Sequence, residues 1–133
     1  MNKKYSGKDL AVLVPTKDRH EKISSLLQSL ENQTISVGRI LIVDGGASVE
    51  DVINRFTSLQ IEHYLCSPPG QIRQRNLGIS KITHDTPIVI FLDDDIVLEV
   101  NAIKEIVSLW NESEENIAAI SFNITNTPKW NPN

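Results

Sequence analysis

Three consecutive aspartates follow a run of five apolar residues in the second half of the chain. The apolar run covers residues 88–92 and is rich in β-branched and aromatic side chains, which predicts a strand that is buried on both faces. Asp93, Asp94 and Asp95 come directly after it, and adjacent carboxylates repel one another unless cations or hydrogen-bond donors compensate them. Mg²⁺ or Mn²⁺ can do so, because such hard cations bind one or two carboxylates together with substrate phosphates. A solvated acidic loop explains the three aspartates equally well when they are considered alone.

Charged and small residues follow the other predicted strands too. Apolar runs at 10–14 and 39–43 predict buried strands, and residues 61–65 predict a shorter strand nearer an edge. If the strands are parallel, the residues after their carboxyl ends share one rim of the sheet, where ligands of open α/β sheets bind. Arginines, aspartates and glycines together at such a rim favour a phosphorylated ligand held by a divalent metal. The residues expected there are Pro15, Thr16, Lys17, Asp18 and Arg19, then Asp44, Gly45 and Gly46, then Arg73, Arg75 and Asn76, and finally Asp93, Asp94 and Asp95.

Capping residues mark the starts of three predicted helices. Asp18 with Glu21 forms a capping box before an apolar stripe at helical spacing. Ser48 with Asp51 marks a second helix, and Asn101 marks a later one. The stripes expected to face the core are Ile23, Leu26, Leu27 and Leu30, then Val49, Val52, Ile53 and Phe56, and finally Ile103, Ile106, Val107 and Trp110.

Strands alternate with helices along most of the chain. A helix is predicted over 71–82, although Gly78 inside it is unfavourable for helix formation, and a fifth strand is predicted over 117–124. Such alternation predicts βαβ units. The fold class is therefore α/β, with a Rossmann-like, mostly parallel sheet covered by helices on both faces.

Length, charge and cysteine content limit the class of protein. The 133 residues have room for one domain with a hydrophobic core, and 13 basic against 17 acidic residues give a net charge of −4. Because nucleic-acid-binding surfaces are usually basic, we expect no nucleic-acid partner. The one cysteine, Cys66, excludes an internal disulfide and a cysteine-based zinc cluster. The sequence has neither a signal peptide nor an apolar stretch long enough to span a bilayer, so we expect a cytoplasmic location.

Each group at the predicted rim also has a plain structural explanation. Pro15 can simply end the first strand, and residues 44–46 are also an ordinary turn between a strand and a helix. Arg73 and Arg75 can form the solvated face of a helix. The groups therefore indicate a function only through their combination at one edge of the sheet.

Common phosphate-binding motifs do not occur in the sequence. The P-loop string Gly-x-x-x-x-Gly-Lys-Ser/Thr is missing. No glycine lies between Leu10 and Gly38, where a dinucleotide fingerprint or the Gly-rich loop of a sugar nucleotidyltransferase would need one. A phospho-receiver domain would carry an acidic pair after the first strand, where this chain has Pro15 and Thr16. These classes of site are therefore disfavoured.

Four short motifs occur in order along the chain: VPTxxR at 14–19, IVDGGAS at 42–48, GxxxxRNxGI at 70–79 and FLDDD at 91–95. Together they resemble the nucleotide-sugar-binding half of the inverting family 2 glycosyltransferases, which have the GT-A fold. Each motif is weak alone, but the order and spacing of the four are fairly specific. The resemblance extends from residue 10 to about residue 124. Gly45 and Gly46 depart from it, because many relatives carry a second acidic residue there.

The resemblance implies a nucleotide-sugar donor, with UDP as the expected nucleotide. Asp44 would accept a hydrogen bond from the base, typically uracil, and Arg75 with Arg73 would lie near the base and the phosphates. Asp93 and Asp94 would face the ribose and the diphosphate. The residues implied at the nucleotide are Pro15, Thr16, Arg19, Asp44, Arg73, Arg75, Asp93 and Asp94.

The resemblance also implies a divalent metal, Mn²⁺ or Mg²⁺, bound in the manner of the family's DxD motif. Asp95 is the implied ligand. The extra aspartate in the run leaves the register open by one position, so Asp93 is a second candidate ligand.

The implied reaction transfers the sugar to an acceptor hydroxyl with inversion at the anomeric carbon. A carboxylate would deprotonate the acceptor, but no catalytic residue is assigned, because Glu112, Glu114 and Glu115 resemble the solvated end of a helix. The acceptor, whether glycan, lipid or protein, is left open. An alternative interpretation is a non-catalytic nucleotide-binding or interaction module of the same fold.

The resemblance also predicts how the chain is divided. We expect residues 1–9 to be an N-terminal extension and residues 10–125 to be the nucleotide-sugar-binding domain. Residues 126–133 would be an irregular tail at the start of a missing acceptor half. On this interpretation the chain binds a nucleotide but transfers little or no sugar by itself. Its expected location is the cytoplasm, with the inner membrane face reached only through the missing regions.

Overall fold

The structure, a computed structural model, describes residues 4–122 of the chain. Within this range four strands form a single sheet: β1 (Leu10–Thr16), β2 (Arg39–Asp44), β3 (Ile61–Leu65) and β4 (Ile88–Phe91). Their order is β3-β2-β1-β4, and every pairing is parallel. β3 lies at an edge, as its shorter and less apolar sequence predicted. The four helices of the same range are α1 (His20–Glu31), α2 (Glu50–Ile53), α3 (Gln71–Ser80) and α4 (Ala102–Glu112).

The helices cover both faces of the sheet. Apolar side chains of α1 and α4 cluster with Leu10, Val12 and Val14 of β1. α3 packs on β1 and β2 from the opposite side, where Gly78 lies against Leu13. Because successive side chains of a strand point to opposite faces, this arrangement buries the whole of β1. The predicted α/β fold with a parallel sheet is confirmed.

The apolar stripes of the helices also lie where the periodicity placed them. Every residue of the first stripe is buried in α1, and most members of the other two are buried as well. A stripe of this kind faces the sheet because its residues recur every three or four positions, on one side of the helix. The buried members are Ile23, Leu26, Leu27, Leu30, Val49, Val52, Phe56, Ile103, Ile106 and Val107.

β4 is less buried than its sequence predicted. Val89 is only partly buried, and Phe91 is 51% exposed. β4 is an edge strand of the described sheet, and α3 packs mainly on β1 and β2. The prediction of a strand buried on both faces is therefore wrong for the described residues. A continuous apolar run does not reveal which of its two faces a helix will cover.

The fifth predicted strand, over 117–124, is also wrong in its described part. Residues 117–122 have no regular secondary structure, and most of them are exposed. Residues 123 and 124 lie outside the described range. β-branched and aromatic residues favour a strand only where a partner strand and a face to pack on are available.

α1 does not begin with the predicted capping box. The helix starts at His20, with Arg19 at the N-cap position. Asp18 has a φ of 56°, and its side chain accepts a hydrogen bond from the backbone N–H of Ala47 at 2.6 Å. The pairing with Glu21 is therefore wrong, because Asp18 serves a loop that is distant in sequence.

The other two predicted caps are partly right. Ser48 accepts a hydrogen bond from the N–H of Glu50, although Val49 occupies the N-cap position of the short helix α2. Asn101 is the N-cap residue of α4, but its side chain accepts from the hydroxyl of Thr34. The N–H of Ile103, in the first turn of α4, donates instead to the side chain of Gln33.

α3 ends at Ser80, two residues before the predicted end, and Gly78 lies inside it. A Cβ on Gly78 would overlap the side chain of Leu13. The glycine is thus placed where α3 approaches β1 most closely, and this close packing accounts for a residue that is unfavourable in a helix.

Candidate functional site

The carboxyl ends of β1 and β2 meet at one edge of the sheet. Thr16 is paired with Asp44 in the register of the two strands. Pro15 lies inside β1, is buried and is paired with Val43, so the interpretation that it ends the strand is wrong. The loops that follow these strands contact each other, because His20 Nε2 lies 2.8 Å from the carbonyl oxygen of Ser48. We call this edge the rim.

Asp94 joins the end of β1 to the loop after β4. The hydroxyl of Thr16 donates to Asp94 Oδ2 at 2.9 Å, and Arg19 Nη1 donates to Asp94 Oδ1 at 3.1 Å. Asp94 is only 8% exposed. Both of its oxygens therefore have partners within the protein, and the residue is held in one position.

The neighbouring aspartates are exposed. The side chain of Asp95 is 52% exposed and lies 3.9 Å from Arg19, while that of Asp93 is 58% exposed and lies 3.4 Å from Arg75. Arginines thus compensate the three adjacent carboxylates, as the sequence required of some cation. Exposed ion pairs of this kind are weak, so Asp93 and Asp95 can exchange their arginine contacts for a ligand.

Arg75 has an unusual environment for an exposed cation. Its Nη2 contacts Asp93, whereas its Nε is buried and has no hydrogen-bond partner among the described residues. A buried donor without a partner destabilises the state in which it is found. The orphaned N–H is therefore consistent with a ligand oxygen or a water molecule beside Arg75.

Asp44 lies beside the rim but is buried. Its side chain is 0% exposed, and its oxygens accept from the backbone N–H groups of Gly46 and Val49 at 3.1 and 3.0 Å. Nε2 of His63 lies 3.0 Å from Asp44 Oδ2. Asp44 therefore shapes the turn from β2 to α2. Its expected contact with a base remains a prediction and requires one of these partners to move.

Arg73 is the most solvent-exposed of the predicted cations on α3. It lies near the start of the helix and donates to the carbonyl of Pro68 at 3.4 Å. An open groove runs along this part of the rim. Its walls are formed by Pro69, Gly70, Gln71, Ile72, Arg73 and Asn76.

The aspartates suit a hard cation only in combination with a ligand. No group of three or more His, Cys, Asp or Glu side chains in residues 4–122 is arranged to hold a metal. The donor set fits Mg²⁺ or Mn²⁺ nevertheless, because exposed carboxylates can supply one or two oxygens while substrate phosphates supply others. Asp95 and Asp93 are the residues available for this role.

Sequence reasoning missed the most connected residue of the rim. The buried amide of Gln74 bonds to the carbonyls of Thr16 and Val43 and to the N–H of Gly70. One signal was available: Gln74 lies four residues before Gly78, so both lie on the face of α3 that meets the sheet. A polar side chain on a buried face must have partners.

The acidic residues at the end of α4 do not take part in the rim contacts. Glu112, Glu114 and Glu115 are exposed. The prediction that they form a solvated helix end is confirmed. None of the helices within residues 4–122 combines the length and the apolar character that crossing a membrane requires.

The structure is similar to two solved structures of TarS from S. aureus. One has a TM-score of 0.67 and 17% sequence identity, over 84% of this chain and 23% of that chain. The other, of TarS 1-349, has a TM-score of 0.69 and 18% identity, over 85% of this chain and 38% of that chain. At this identity the likeness shows the fold. The chain spans well under half the length of either TarS chain.

Sequence comparison identifies the family. Comparison with curated proteins gives no match. The model of the family described as "Glycosyl transferase family 2" matches residues 11–133, which is nearly the whole chain. The chain therefore belongs to glycosyl transferase family 2.

Proposed function

We propose that this chain is the donor-binding domain of a metal-dependent glycosyltransferase that uses a nucleoside diphosphate sugar, with UDP as the expected nucleotide. Family membership over residues 11–133 carries the proposal. The convergence of arginines and aspartates at one rim supports it, because a diphosphate needs cations while a metal ion needs carboxylates.

In this proposal the exposed groups of the rim contact the nucleotide. Arg75 and Arg73 lie near the base and phosphates, and Arg19 lies near the diphosphate, where arginine supplies charge-assisted donors. Pro15, Thr16, Asp44 and Asp94 are buried, so they shape the pocket from beneath. A base that reaches Asp44 would replace one of its present partners.

The metal ion would be held by Asp95 and Asp93. When bound, Mn²⁺ or Mg²⁺ stabilises the negative charge that develops on a departing nucleoside diphosphate. Arg19 and Arg75 now neutralise these carboxylates. Release of the carboxylates to a metal would free both arginines for the phosphates, so metal and nucleotide binding should be coupled.

The proposed reaction is substitution at the anomeric carbon of the sugar. An acceptor hydroxyl attacks from the face opposite the diphosphate, a new glycosidic C–O bond forms, and the C–O bond to the diphosphate breaks with inversion. The hydroxyl proton passes to a base that we do not assign to a residue of this chain. The acceptor class is also left open.

Calorimetric titration with UDP, GDP and dTDP, each with and without Mn²⁺, tests the proposal. We expect UDP to bind only weakly without Mn²⁺ and to bind more tightly with it. Asp95→Ala should remove the effect of Mn²⁺, whereas Asp51→Ala, which removes an exposed carboxylate from α2, should not. A UDP affinity that Mn²⁺ and Asp95→Ala both leave unchanged would indicate a metal-independent module instead. No binding of any nucleotide would refute the proposal.

A further inference from the structure

One buried amide connects three segments of the rim. Gln74 lies near the start of α3, faces the sheet and is 4% exposed. Its Nε2 donates to the carbonyl of Thr16 at 2.8 Å and to the carbonyl of Val43 at 2.9 Å. Its Oε1 accepts from the backbone N–H of Gly70 at 3.0 Å. Both amide protons of the side chain are therefore used, and both bonds run to strand ends.

We infer that Gln74 is a positioning residue of the nucleotide site: its amide fixes the ends of β1 and β2 against the first turn of α3. This inference rests on the proposed function, since the joined segments carry the proposed ligand contacts. Thr16 also binds Asp94, and Gly70 immediately precedes the helix that carries Arg75. Burial keeps Gln74 itself away from a ligand, so it acts through these neighbours.

The same amide explains the glycine at position 45. A Cβ on Gly45 would lie 2.6 Å from Oε1 of Gln74 and 2.8 Å from Cβ of Pro69. Non-bonded atoms need well over 3 Å (about 3.5 Å at the optimum for carbon), so a side chain here would displace the amide or the loop. Gly45 and Gln74 are therefore a sterically matched pair, and a change at either position should be felt at the other.

The site requires an amide and not merely a side chain of this size. A carboxylate at position 74 would face the carbonyl oxygens of Thr16 and Val43 without a proton to donate. A thioether fills nearly the same volume but offers no donor. Gln74→Met therefore removes the three hydrogen bonds while it preserves most of the packing.

Gln33 provides a matched control, because it has the same bonding pattern elsewhere. Its Nε2 donates to the carbonyls of Ser29 and Glu99 at 3.0 and 2.7 Å, and its Oε1 accepts from the N–H of Ile103 at 3.0 Å. It joins α1 to the start of α4 and contacts none of the rim residues. Gln33→Met thus removes the same set of bonds without loosening the proposed site.

The first test compares UDP binding in the presence of Mn²⁺ for the wild-type chain, Gln74→Met and Gln33→Met. Both variants should have a lower melting temperature. The dissociation constant of UDP should rise about tenfold or more in Gln74→Met only, because its lost bonds align the strand ends with α3. Unchanged UDP affinity in Gln74→Met, or an equal loss in Gln33→Met, would overturn the inference.

A second measurement does not depend on the nucleotide. Backbone amide hydrogen exchange should accelerate over residues 45–49 in Gln74→Met but not in Gln33→Met, which should instead affect Ile103. If the wild-type chain binds no UDP, the proposed function fails, whereas unchanged exchange over residues 45–49 refutes the role of Gln74 by itself.

The steric pairing is tested by combining two substitutions. Gly45→Ala should weaken UDP binding in the wild-type background and cost less in a Gln74→Ala background, where the amide is gone. Strict additivity of the two effects would show that the residues act independently.

Discussion

Replacement of Asp94 by alanine should destabilise the folded chain even in the absence of any ligand. Asp94 is the one aspartate of the run that is buried, and it accepts from both Thr16 and Arg19. The substitution removes the acceptor of the Thr16 hydroxyl, and Thr16 is itself 3% exposed. The hydroxyl would then be buried without a partner.

The expected size of the effect can be worked out from these two contacts. An unpaired buried hydroxyl costs about 1–3 kcal/mol. The side chain of Arg19 is 53% exposed, so loss of its ion pair adds no more than about 0.5 kcal/mol. We therefore expect the free energy of unfolding to fall by about 1–3 kcal/mol. Asp94→Asn keeps an oxygen for Thr16 and should cost about 1 kcal/mol or less.

Urea unfolding at pH 7, followed by circular dichroism, measures the difference. Asp95→Ala is the matched control, because Asp95 is half-exposed and lies 3.9 Å from Arg19. It should change the free energy of unfolding by no more than about 0.5 kcal/mol. The reasoning is refuted if Asp94→Ala is as stable as Asp95→Ala. A double-mutant cycle with Thr16→Val should show coupling, since the two side chains share one hydrogen bond.

Three further predictions concern the packing and charges that support the rim. Arg39 binds Glu62 through two hydrogen bonds of 2.7 Å, which lowers the pKa of the Glu62 carboxyl. The resulting stabilisation is fully present above the ordinary glutamate pKa of about 4.3 and is lost as the pH falls through the lower pKa of the folded state. Glu62→Gln should therefore melt at a lower temperature than wild type at pH 7 and approach it below that range; a constant gap across the titration would contradict the assignment. Gly78→Ala should lower the free energy of unfolding by about 1–3 kcal/mol, because the new methyl group would overlap Leu13. A rise in the melting temperature, as helix propensity alone predicts, would show that α3 can move away from β1. Asp44→Asn should lower the free energy of unfolding by about 1–3 kcal/mol, because an amide group must place a donor toward one of three existing donors or lose the bond; chemical denaturation without ligand measures this, and an unchanged midpoint would mean that the β2–α2 turn does not depend on the charge.

The strands and helices were largely predictable because their signals are local. Continuous apolar runs located β1 and β2, and a stripe at helical spacing located the buried face of α1. Alternation of the two kinds of element then implied a parallel sheet and a shared rim. The segments most misjudged were β4 and residues 117–122, whose apolar residues have less of the sheet and helices to pack against.

Helix caps and site contacts were less predictable, because their partners are distant in sequence. Asp18 forms a hydrogen bond with Ala47, and Gln33 caps α4 through Ile103. A sequence pattern assigns a polar side chain to its nearest helix, since only local backbone is in view. The folded chain offers other unpaired N–H groups, and the side chain binds the one that the packing brings within reach.

The sequence by itself determined which residues gather at the rim, since that depends only on the strands being parallel and on the residues directly after each strand. Only the tertiary structure decided their states. It buried Asp94 and Asp44 and left Asp93 and Asp95 exposed, although all are the same residue type. The physical reason is that burial depends on which loop covers a carboxylate and which donors meet it. Those contacts form between segments up to 78 residues apart, as between Thr16 and Asp94.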